Sequence, residues 1–184
     1  TGMHVLGELG LAGPIVRAGH RVDRLRARSS TGRLLFDLPY SARGPELFGL
    51  GLHRGVLFQT LFDAARAEIP DVRTGVSIAR LGEPGHVLST TGDALGPFDL
   101  IVVADGARSE IRTANFPGAR DTAYPWGALW FVAEDRAGLY TRELLQCVKG
   151  AREMVGMLPT GLAPGGDTPL VSLFWSVPLD SVEK

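Results

Sequence analysis

The fold is decided by the stretch Asp99-Leu100-Ile101-Val102-Val103-Ala104-Asp105-Gly106-Ala107-Arg108-Ser109-Glu110-Ile111-Arg112. Its first half, with Phe98, is a short and continuously apolar run, which predicts a strand buried on both faces as in the parallel sheet of an α/β fold. Asp105 and Gly106 break the run, and residues 109–114 predict a short helix. Ligands gather outside the carboxyl ends of strands in open α/β sheets, and the free amides of a helix N-terminus favour anionic groups. The stretch therefore predicts a ligand-facing corner at Asp105 and Gly106.

The same corner is open to two interpretations, one with a bound ligand and one purely structural. Gly106 permits a tight turn and a close backbone approach, and the Asp105 carboxylate is able to accept hydrogen bonds from a ribose. A strand, an Asp-Gly pair and a helix are nevertheless a common arrangement. Ser109 is then simply an N-cap, and Arg112 pairs with Glu110 or Asp105 for structural reasons. The spacing alone leaves both interpretations open.

Upstream of the corner, the sequence predicts two helical regions separated by strands. Residues 3–18 predict a helix broken around Gly13-Pro14, and residues 21–28 and 33–38 predict two strands joined by a turn. Residues 55–69 predict the clearest helix, which Pro70 ends. Its apolar positions have the i, i+3, i+4, i+7 spacing of one buried face: Leu57, Phe58, Leu61, Phe62, Ala65 and Ile69.

The remaining segments predict strands. Residues 72–81 and 86–91 predict strands before the apolar run, and from about Tyr124 the pattern becomes all-β. No helix-length segment separates these later strands, which favours antiparallel hairpins. They are predicted at 124–133, 142–148, 152–158 and 170–177. The predicted fold class is therefore α/β, or α+β overall, with part of a Rossmann-like sheet followed by an antiparallel sheet and a boundary near residues 115–122.

Composition and charge argue against several classes of function. The formal net charge of −1 argues against a nucleic-acid partner held by phosphate neutralisation. No apolar stretch approaches the roughly 18 residues of a membrane span, and no signal peptide is evident, so we expect a cytoplasmic protein. The arginine-rich stretch 17–33 is interpreted as a solvated strand face.

The cysteine and histidine content argues against disulfides and metals. Cys147 is the single cysteine, which rules out an internal disulfide, and its apolar surroundings predict a small buried side chain. No metal site is expected, because the histidines lack ligand spacing: His4, His20, His53 and His86. Both ends of the chain are interpreted as cut. A helical pattern begins directly after Thr1, and residues 178–184 have the pattern of a helix that stops within its first turn.

The deciding stretch also carries a family resemblance. The string Asp105-Gly106-Ala107-Arg108-Ser109-Glu110-Ile111-Arg112, with the strand before it, resembles the Asp-Gly motif of FAD-dependent aromatic hydroxylases and related class A flavoprotein monooxygenases, the para-hydroxybenzoate hydroxylase-like family. In that family the motif lies near the flavin and is linked to FAD and nicotinamide-cofactor binding. Residues 52–61 resemble the family's Arg-x-x-Leu helix start, and residues 6–11, 156–159 and 174–178 resemble further segments in the expected order.

The resemblance implies cofactor-binding roles for four residues. Arg54 matches the arginine that contacts the flavin cofactor, and Asp105 and Gly106 match the Asp-Gly motif. Val76 occupies the strand whose backbone meets the adenine. The alternatives are that Arg54 is a surface arginine at a helix start and that Val76 is an ordinary strand residue. The resemblance assigns no side chain here as a catalytic acid or base.

The sequence lacks two family segments: a G-x-G-x-x-G turn after a first strand, and the later Gly-Asp segment. The resemblance therefore implies an internal fragment that binds FAD weakly or not at all, because a pyrophosphate-binding helix N-terminus is missing. Residues 1–118 would form a partial FAD-binding region, of which residues 20–50 are a candidate contribution to the substrate-domain sheet. Residues 119–184 would form a partial substrate-binding antiparallel sheet.

The function implied for the intact protein is that of a monooxygenase. It would bind FAD, take a hydride from NADH or NADPH, and hydroxylate a small aromatic substrate through a flavin hydroperoxide. A related FAD-dependent reductase, epoxidase or halogenase, or a non-catalytic binding domain, are the alternatives. Six large side chains of the later strands either line a substrate cavity or belong to the core: Trp126, Trp130, Phe131, Met154, Met157 and Trp175.

Overall fold

The computed structural model describes residues 2–120, 122–150 and 153–181. These residues form two compact units, one from the described residues up to 69 together with those from 124 onward, and the other from the described residues between 70 and 123. In chain order the elements are α1 (Gly2–Glu8), α2 (Ala12–Ala18), β1 (His20–Val22), β2 (Arg24–Ser29), β3 (Leu34–Pro39), β4 (Gly49–Gly51), α3 (Arg54–Glu68), β5 (Ile78–Leu81), β6 (Val87–Ser89), β7 (Ala94–Leu95), α4 (Glu110–Asn115), β8 (Trp126–Glu134), β9 (Glu143–Lys149), β10 (Glu153–Gly161) and β11 (Leu170–Pro178). We call the first unit the sheet unit and the second the meander unit.

The main structure of the sheet unit is a mixed β-sheet. Within the described residues, six strands are ordered β3-β2-β9-β10-β11-β8. The pair β2–β9 is parallel, and the other neighbouring pairs are antiparallel. The four strands expected after Tyr124 are confirmed, as is their antiparallel pairing, although residue 152 lies outside the described residues. The mixed α/β fold class is confirmed as well.

The sheet recruits two strands from early in the chain, β2 and β3. The two compact units thus divide the chain differently from the two regions expected from sequence. Compactness describes contacts within this chain, whereas the expected regions refer to a larger protein, so that division stays a prediction. The expected helix start at the C-terminus is seen as a short 3-10 turn, Leu179–Ser181, and residues 182–184 lie outside the described residues.

The first helical region breaks earlier than expected. Gly10 has φ +71° and follows α1, and the amide of Leu11 donates to the carbonyl oxygen of Leu6, an arrangement that ends helices. Pro14 instead lies in the first turn of α2. The expected break at Gly13-Pro14 is therefore wrong. Amides in the first turn of a helix have no intrahelical partner. A proline, which lacks an amide hydrogen, is therefore tolerated there.

The arginine-rich strand β2 is not simply solvated. Arg24 and Arg26 both bond to Oδ2 of Asp37 on β3, at 3.1 and 3.2 Å, and Arg26 also pairs with Glu143 on β9 at 3.1 Å. These side chains are about two-thirds to three-quarters covered. Because β3 and β9 flank β2 with carboxylates, the arginines cross-link three neighbouring strands, which corrects the interpretation of a solvated face.

Helix α3 forms where it was expected, but its apolar face is largely open. Val56 is the buried residue of this helix, and α2 packs on α3. The exposed fractions of Phe58 and Ile69 are nevertheless 64% and 51%. The expectation of a buried face is therefore wrong, since three of the six positions are exposed and the other three are only half-buried. Helical periodicity identifies the apolar side of a helix and does not supply a surface to cover it.

Cys147 is exposed, which corrects the expectation of a buried thiol. Its side chain shares a sheet face with that of Arg28, its partner on the parallel strand β2. Arg28 is exposed as well, so this part of the face meets solvent. An apolar run in the sequence shows that a residue lies in a strand without showing which face is covered.

The meander unit consists of a small antiparallel sheet and one helix. Strands β5, β6 and β7 pair in that order, and α4 packs on β5. The strand expected at 72–81 begins at Ile78, so its first half is wrong. The four-residue segment 74–77 leads into it through Gly75, which has φ +73°.

The apolar run 98–104 does not form the expected strand. Among the described residues it has no ladder partner, and the exposed fractions of Leu100 and Val102 are 79% and 76%. The expectation of burial on both faces is wrong here. Strand structure requires a neighbouring strand for its amides and carbonyls, and the described residues of this unit place none beside the run.

Candidate functional site

The meander unit contains a cavity beside the apolar run. Its volume is about 620 Å³, and most of the residues that line it are aliphatic, with Ser77 and Asp105 as the two that carry polar side chains. Val76 and Asp105 both line this cavity, so the structure brings together two of the residues selected from the sequence. The full lining is Val76, Ser77, Ile78, Leu81, Val87, Phe98, Leu100, Ile101, Val102, Val103, Ala104, Asp105 and Ile111.

Asp105 and Gly106 form an open corner between the run and α4. Asp105 is exposed and has no hydrogen bond or ion pair with any residue that the structure describes. Gly106 has φ +88°, and an added Cβ would meet nothing within 4 Å. A ligand can therefore approach the backbone at Gly106 and the carboxylate at Asp105 without displacing protein atoms.

The structural interpretation of Ser109 is confirmed. Its hydroxyl accepts a hydrogen bond from the amide of Arg112 at 3.0 Å, which caps α4. The guanidinium of Arg112 donates to the carbonyl oxygen of Ala107 at 2.8 Å and so closes the turn after Gly106. These two contacts fix the backbone of the corner while the Asp105 carboxylate stays open.

Arg54 lies in the sheet unit, at the first turn of α3. His53 is the N-cap, and its Nδ1 accepts a hydrogen bond from the amide of Gly55 at 3.1 Å. Arg54 is exposed and has no polar partner among the described residues. The amides of Gly55 and Val56 are already bonded to His53. The guanidinium of Arg54, placed at the positive end of the helix dipole, is therefore the group that favours an anionic ligand.

One face of the six-stranded sheet carries a row of side chains that cross four strands. The register aligns Gln146, Gly156, Phe174 and Trp130 on β9, β10, β11 and β8. The ring of Phe174 lies directly over Gly156, where an added Cβ would overlap it. Trp130 stacks on Phe174, with ring centroids 5.3 Å apart and planes 15° from parallel. We call this row the aromatic row.

A second cavity, of about 710 Å³, opens on the sheet unit close to this row. Ser176 connects β11 to β10 beside this cavity. Its hydroxyl accepts a hydrogen bond from the amide of Met154 at 2.9 Å and donates one to the carbonyl oxygen of the same residue at 3.2 Å. Ser176 also lies two residues along β11 from Phe174, hence on the same face. The cavity is lined by Tyr124, Trp126, Gly127, Ala128, Val148, Gly150, Glu153, Met154 and Ser176.

The six large side chains selected from the sequence divide between the two sheet faces. The register places Trp126, Trp130 and Met154 on the face of the aromatic row, and the other three on the opposite face. Trp126 and Met154 line the cavity. The core interpretation is wrong for three of the six, whose exposed fractions are 44–57%: Trp130, Phe131 and Trp175.

Sequence reasoning missed several residues of this face, notably Gly156, Phe174 and Ser176. Alternation along one strand shows which of its residues share a face. It does not show which residues of different strands lie side by side, since that depends on the register. The small residue Gly156 in an otherwise large-residue strand was the available signal, because such a glycine marks a close approach.

Two carboxylates with lowered pKa values lie at the joints of the sheet unit. The amides of Tyr140 and Leu139 each donate to the Asp135 carboxylate at 2.9 Å and hold its pKa below 3.8. A hydrogen bond from Arg21 and an ion pair with Arg142 lower the pKa of Asp23. Both carboxylates bond to protein groups on several sides, which marks them as structural.

Within residues 2–120, 122–150 and 153–181, the structure contains no cluster of three or more His, Cys, Asp or Glu side chains able to hold a metal ion. None of the helices in those ranges is both long and apolar enough to span a bilayer.

Comparison of the fold with solved structures finds clear similarities, although no protein-family model and no curated protein sequence matches the chain. PqsL, a probable FAD-dependent monooxygenase from Pseudomonas aeruginosa, superposes on 99% of the chain with a TM-score of 0.77 and 18% identity, over 50% of its own length. The tetrameric form of 2-methyl-3-hydroxypyridine-5-carboxylic acid oxygenase superposes on 97% with a TM-score of 0.75 and 18% identity, over 47% of its length.

A third similar structure is 2,6-dihydroxypyridine-3-hydroxylase from Arthrobacter nicotinovorans, with a TM-score of 0.71, 10% identity, and coverage of 97% of this chain and 45% of that protein. The chain thus spans about half the length of the solved structures that it matches. At these identities the similarity establishes the fold, which this chain shares with a probable FAD-dependent monooxygenase, an oxygenase of a hydroxypyridine carboxylic acid and a hydroxylase of a dihydroxypyridine.

Proposed function

We propose that the chain is part of an FAD-dependent monooxygenase that uses NADH or NADPH to hydroxylate a small aromatic substrate. The observation that carries the proposal is the superposition of nearly the whole chain on PqsL, a probable FAD-dependent monooxygenase, with a TM-score of 0.77. The order of the elements, not local sequence identity, is what the two proteins share. We also propose a partial FAD-binding region in residues 1–118, a partial substrate-binding sheet in residues 119–184, and a cytoplasmic location.

The residues present fit parts of an FAD molecule. Arg54 offers an unpaired guanidinium at a helix N-terminus, which suits an anionic or electron-rich part of the cofactor. Asp105 offers an unpaired carboxylate, which suits ribose hydroxyls, and Gly106 leaves its backbone accessible. Val76 contributes an apolar wall of the 620 Å³ cavity, which suits a flat base. When bound and reduced by NADH or NADPH, FAD would supply the chemistry that activates O₂.

The aromatic row and its cavity fit a flat aromatic substrate. The volume of about 710 Å³ lies within the range of roughly 300–1,000 Å³ that is typical of small-molecule sites. Trp130 and Phe174 already stack on each other, and a planar ligand is able to extend such a stack. Trp126 adds a further apolar wall, and the Ser176 hydroxyl adds a polar group.

Flavin fluorescence measures the first part of the proposal. FAD is titrated into this chain and into the full-length polypeptide that contains it, with the variants Arg54→Gln and Asp105→Asn. Each variant has a matched control at an exposed residue of the same type, Arg43→Gln and Asp99→Asn. We expect the two site variants to weaken binding about tenfold, as the loss of one charge-assisted hydrogen bond does, and the controls to leave it unchanged.

Isotope incorporation measures the second part. The full-length polypeptide is given NADH or NADPH, ¹⁸O₂ and a panel of hydroxylated aromatic acids and pyridines. One ¹⁸O atom in the product for each molecule of NADH or NADPH oxidised supports a monooxygenase. Oxidation of the reductant with a reduced product and no ¹⁸O would instead identify a reductase. Failure of both polypeptides to bind FAD would overturn the proposal and would leave the alternative of a non-catalytic binding domain.

A further inference from the structure

We infer that Gly51 and Gly161 are positioning residues, which hold the N-terminus of α3 at a fixed place against the sheet that carries the aromatic row. Both glycines and both structures that they connect belong to the sheet unit. The catalytic meaning of the inference rests on the proposed function, because Arg54 would face the cofactor and Phe174 the substrate. The geometric part stands on the contacts alone.

Gly51 makes the first of two backbone contacts. It is buried at the end of β4, and an added Cβ would overlap the carbonyl oxygen of Pro159 on β10. The chain then reaches Arg54 within three residues, through Leu52 and the N-cap His53. The start of α3 is therefore set by how closely β4 approaches β10.

Gly161 makes the second contact, at the other side of the same strand end. It has φ +78°, and an added Cβ would overlap the carbonyl oxygen of Ala18 at the C-terminus of α2. The next residue, Leu162, donates its amide to that same oxygen at 2.8 Å. Since α2 packs on α3, the end of β10 is fixed against both helices.

A buried hydroxyl pair ties this strand end to β11. Oγ1 of Thr160 lies 2.6 Å from Oγ of Ser172 and also donates to the carbonyl oxygen of Leu158 at 2.9 Å. The exposed fractions of Thr160 and Ser172 are 3% and 0%. Ser172 lies two residues before Phe174 on the same face of β11. A continuous set of close contacts therefore runs from the aromatic row to the start of α3.

A methyl group at either glycine would break that set of contacts by displacement. The neighbouring atoms are backbone oxygens, which cannot rotate away as a side chain can. The two segments would have to separate by more than about 1 Å to restore ordinary van der Waals distances. A misplacement of about 1 Å between reacting groups is able to lower a rate by ~100-fold.

Spin labels measure the displacement directly and need no ligand. One label is attached to Cys147, which is exposed on β9, and the other to a cysteine introduced by Gln59→Cys on the exposed side of α3. Pulsed electron resonance then reports the distance distribution between sheet and helix. Gly51→Ala is compared with Gly7→Ala, where an added Cβ meets nothing within 4 Å.

Gly161→Ala has its own matched control, Gly165→Ala. Both glycines have positive φ, +78° and +70°, so both variants carry the same backbone strain, but an added Cβ at Gly165 meets nothing within 4 Å. We expect Gly51→Ala and Gly161→Ala to shift or broaden the distance distribution by about 1 Å or more, and both controls to leave it unchanged. Unchanged distances in the folded Gly51→Ala and Gly161→Ala proteins would overturn the inference.

Should neither variant fold, Ser172→Ala decides the matter, because it removes the hydroxyl tie and adds no bulk. A broadened distribution supports the inference, and an unchanged one overturns it. In the full-length polypeptide, we expect Gly51→Ala to raise severalfold the fraction of NADH or NADPH electrons lost as hydrogen peroxide, with NADH or NADPH oxidation itself little changed. A merely destabilised protein would instead lose NADH or NADPH oxidation and product formation in parallel, and its peroxide fraction would not rise. If the wild type shows no such activity, the proposed function fails while the distance result stands.

Discussion

The centre of the six-stranded sheet and the apolar run 98–104 differ in what lies beside them. Strand β10 has β9 on one side and β11 on the other, and Gly156 at its middle is buried. The run is as apolar, yet Leu100 and Val102 are mostly exposed and the described residues place no strand next to it. Apolar residues thus lie both in a covered strand and in an exposed segment of this chain, so an apolar sequence alone does not show which regions are buried.

The largest expected contrast is in stability. Ile15 in α2 is fully buried in the sheet unit, whereas Leu100 is 79% exposed. Ile15→Ala is expected to lower the free energy of unfolding by about 2–5 kcal/mol, because it removes buried methyl groups and leaves a cavity. Leu100→Ala is expected to change it by less than about 0.5 kcal/mol. Urea denaturation monitored by far-UV circular dichroism gives both values, because the three tryptophans all lie in the sheet unit and would not report on the unit that contains Leu100.

Equal losses of unfolding free energy in Ile15→Ala and Leu100→Ala would show that the run 98–104 is packed in solution. The contrast between the covered strand and the exposed run would then be wrong. The prediction therefore also checks whether the open run is a property of the chain itself.

A smaller effect is expected at the corner after the run. Ser109→Ala removes the side chain that caps α4 and is expected to cost about 1 kcal/mol. The loss should appear as faster amide exchange in residues 110–115, with the strands of the sheet unit unaffected. Ser109→Asp, which keeps a capping oxygen, is the matched control and should restore slow exchange. Loss of protection in the strands of the sheet unit as well would contradict a local role for this cap.

The smallest expected effect is a pH dependence at a joint of the sheet unit. The folded pKa of Asp135 is lowered below 3.8 by the amides of Tyr140 and Leu139, so its carboxylate stabilises the fold above pH 3.8. That contribution is lost as the pH falls through the folded pKa. Thermal melting of Asp135→Asn should therefore be lower than that of the wild type at pH 7, with the gap closing below about pH 4. A gap that is constant with pH would exclude a role for the charge.

The sheet unit was largely predictable from sequence because its signals are local. Alternating strands separated by glycine turns predicted the bounds of β8, β9, β10 and β11 within about three residues, and Pro70 correctly predicted the end of α3. The pairing of β2 with β9 was not predictable in detail, since it joins segments more than a hundred residues apart in a parallel arrangement. Nothing in either segment specifies the other.

The candidate site was predictable only in part, for the same reason. Asp105 and Gly106 could be selected because an acid and a glycine after an apolar run form a local pattern. The structure places Val76 with Asp105 on one cavity, a relation that depends on how the meander folds back. Phe174 over Gly156 depends on the register of two strands, and the contact of Gly51 with Pro159 depends on tertiary packing. These long-range relations carry no local sequence pattern.

Hydrogen exchange with and without saturating FAD tests most directly the proposal that the residues selected for cofactor binding, Arg54, Val76 and the Asp105-Gly106 corner, contact FAD and that the strands β9, β10 and β11 do not. The measurement is made on this chain and on the full-length polypeptide. We predict slower exchange at residues 54–57, 76–78 and 101–106 when FAD is present, and unchanged exchange in β9, β10 and β11. Protection confined to the sheet strands, or no protection in either polypeptide, would contradict this assignment of the cofactor-binding residues.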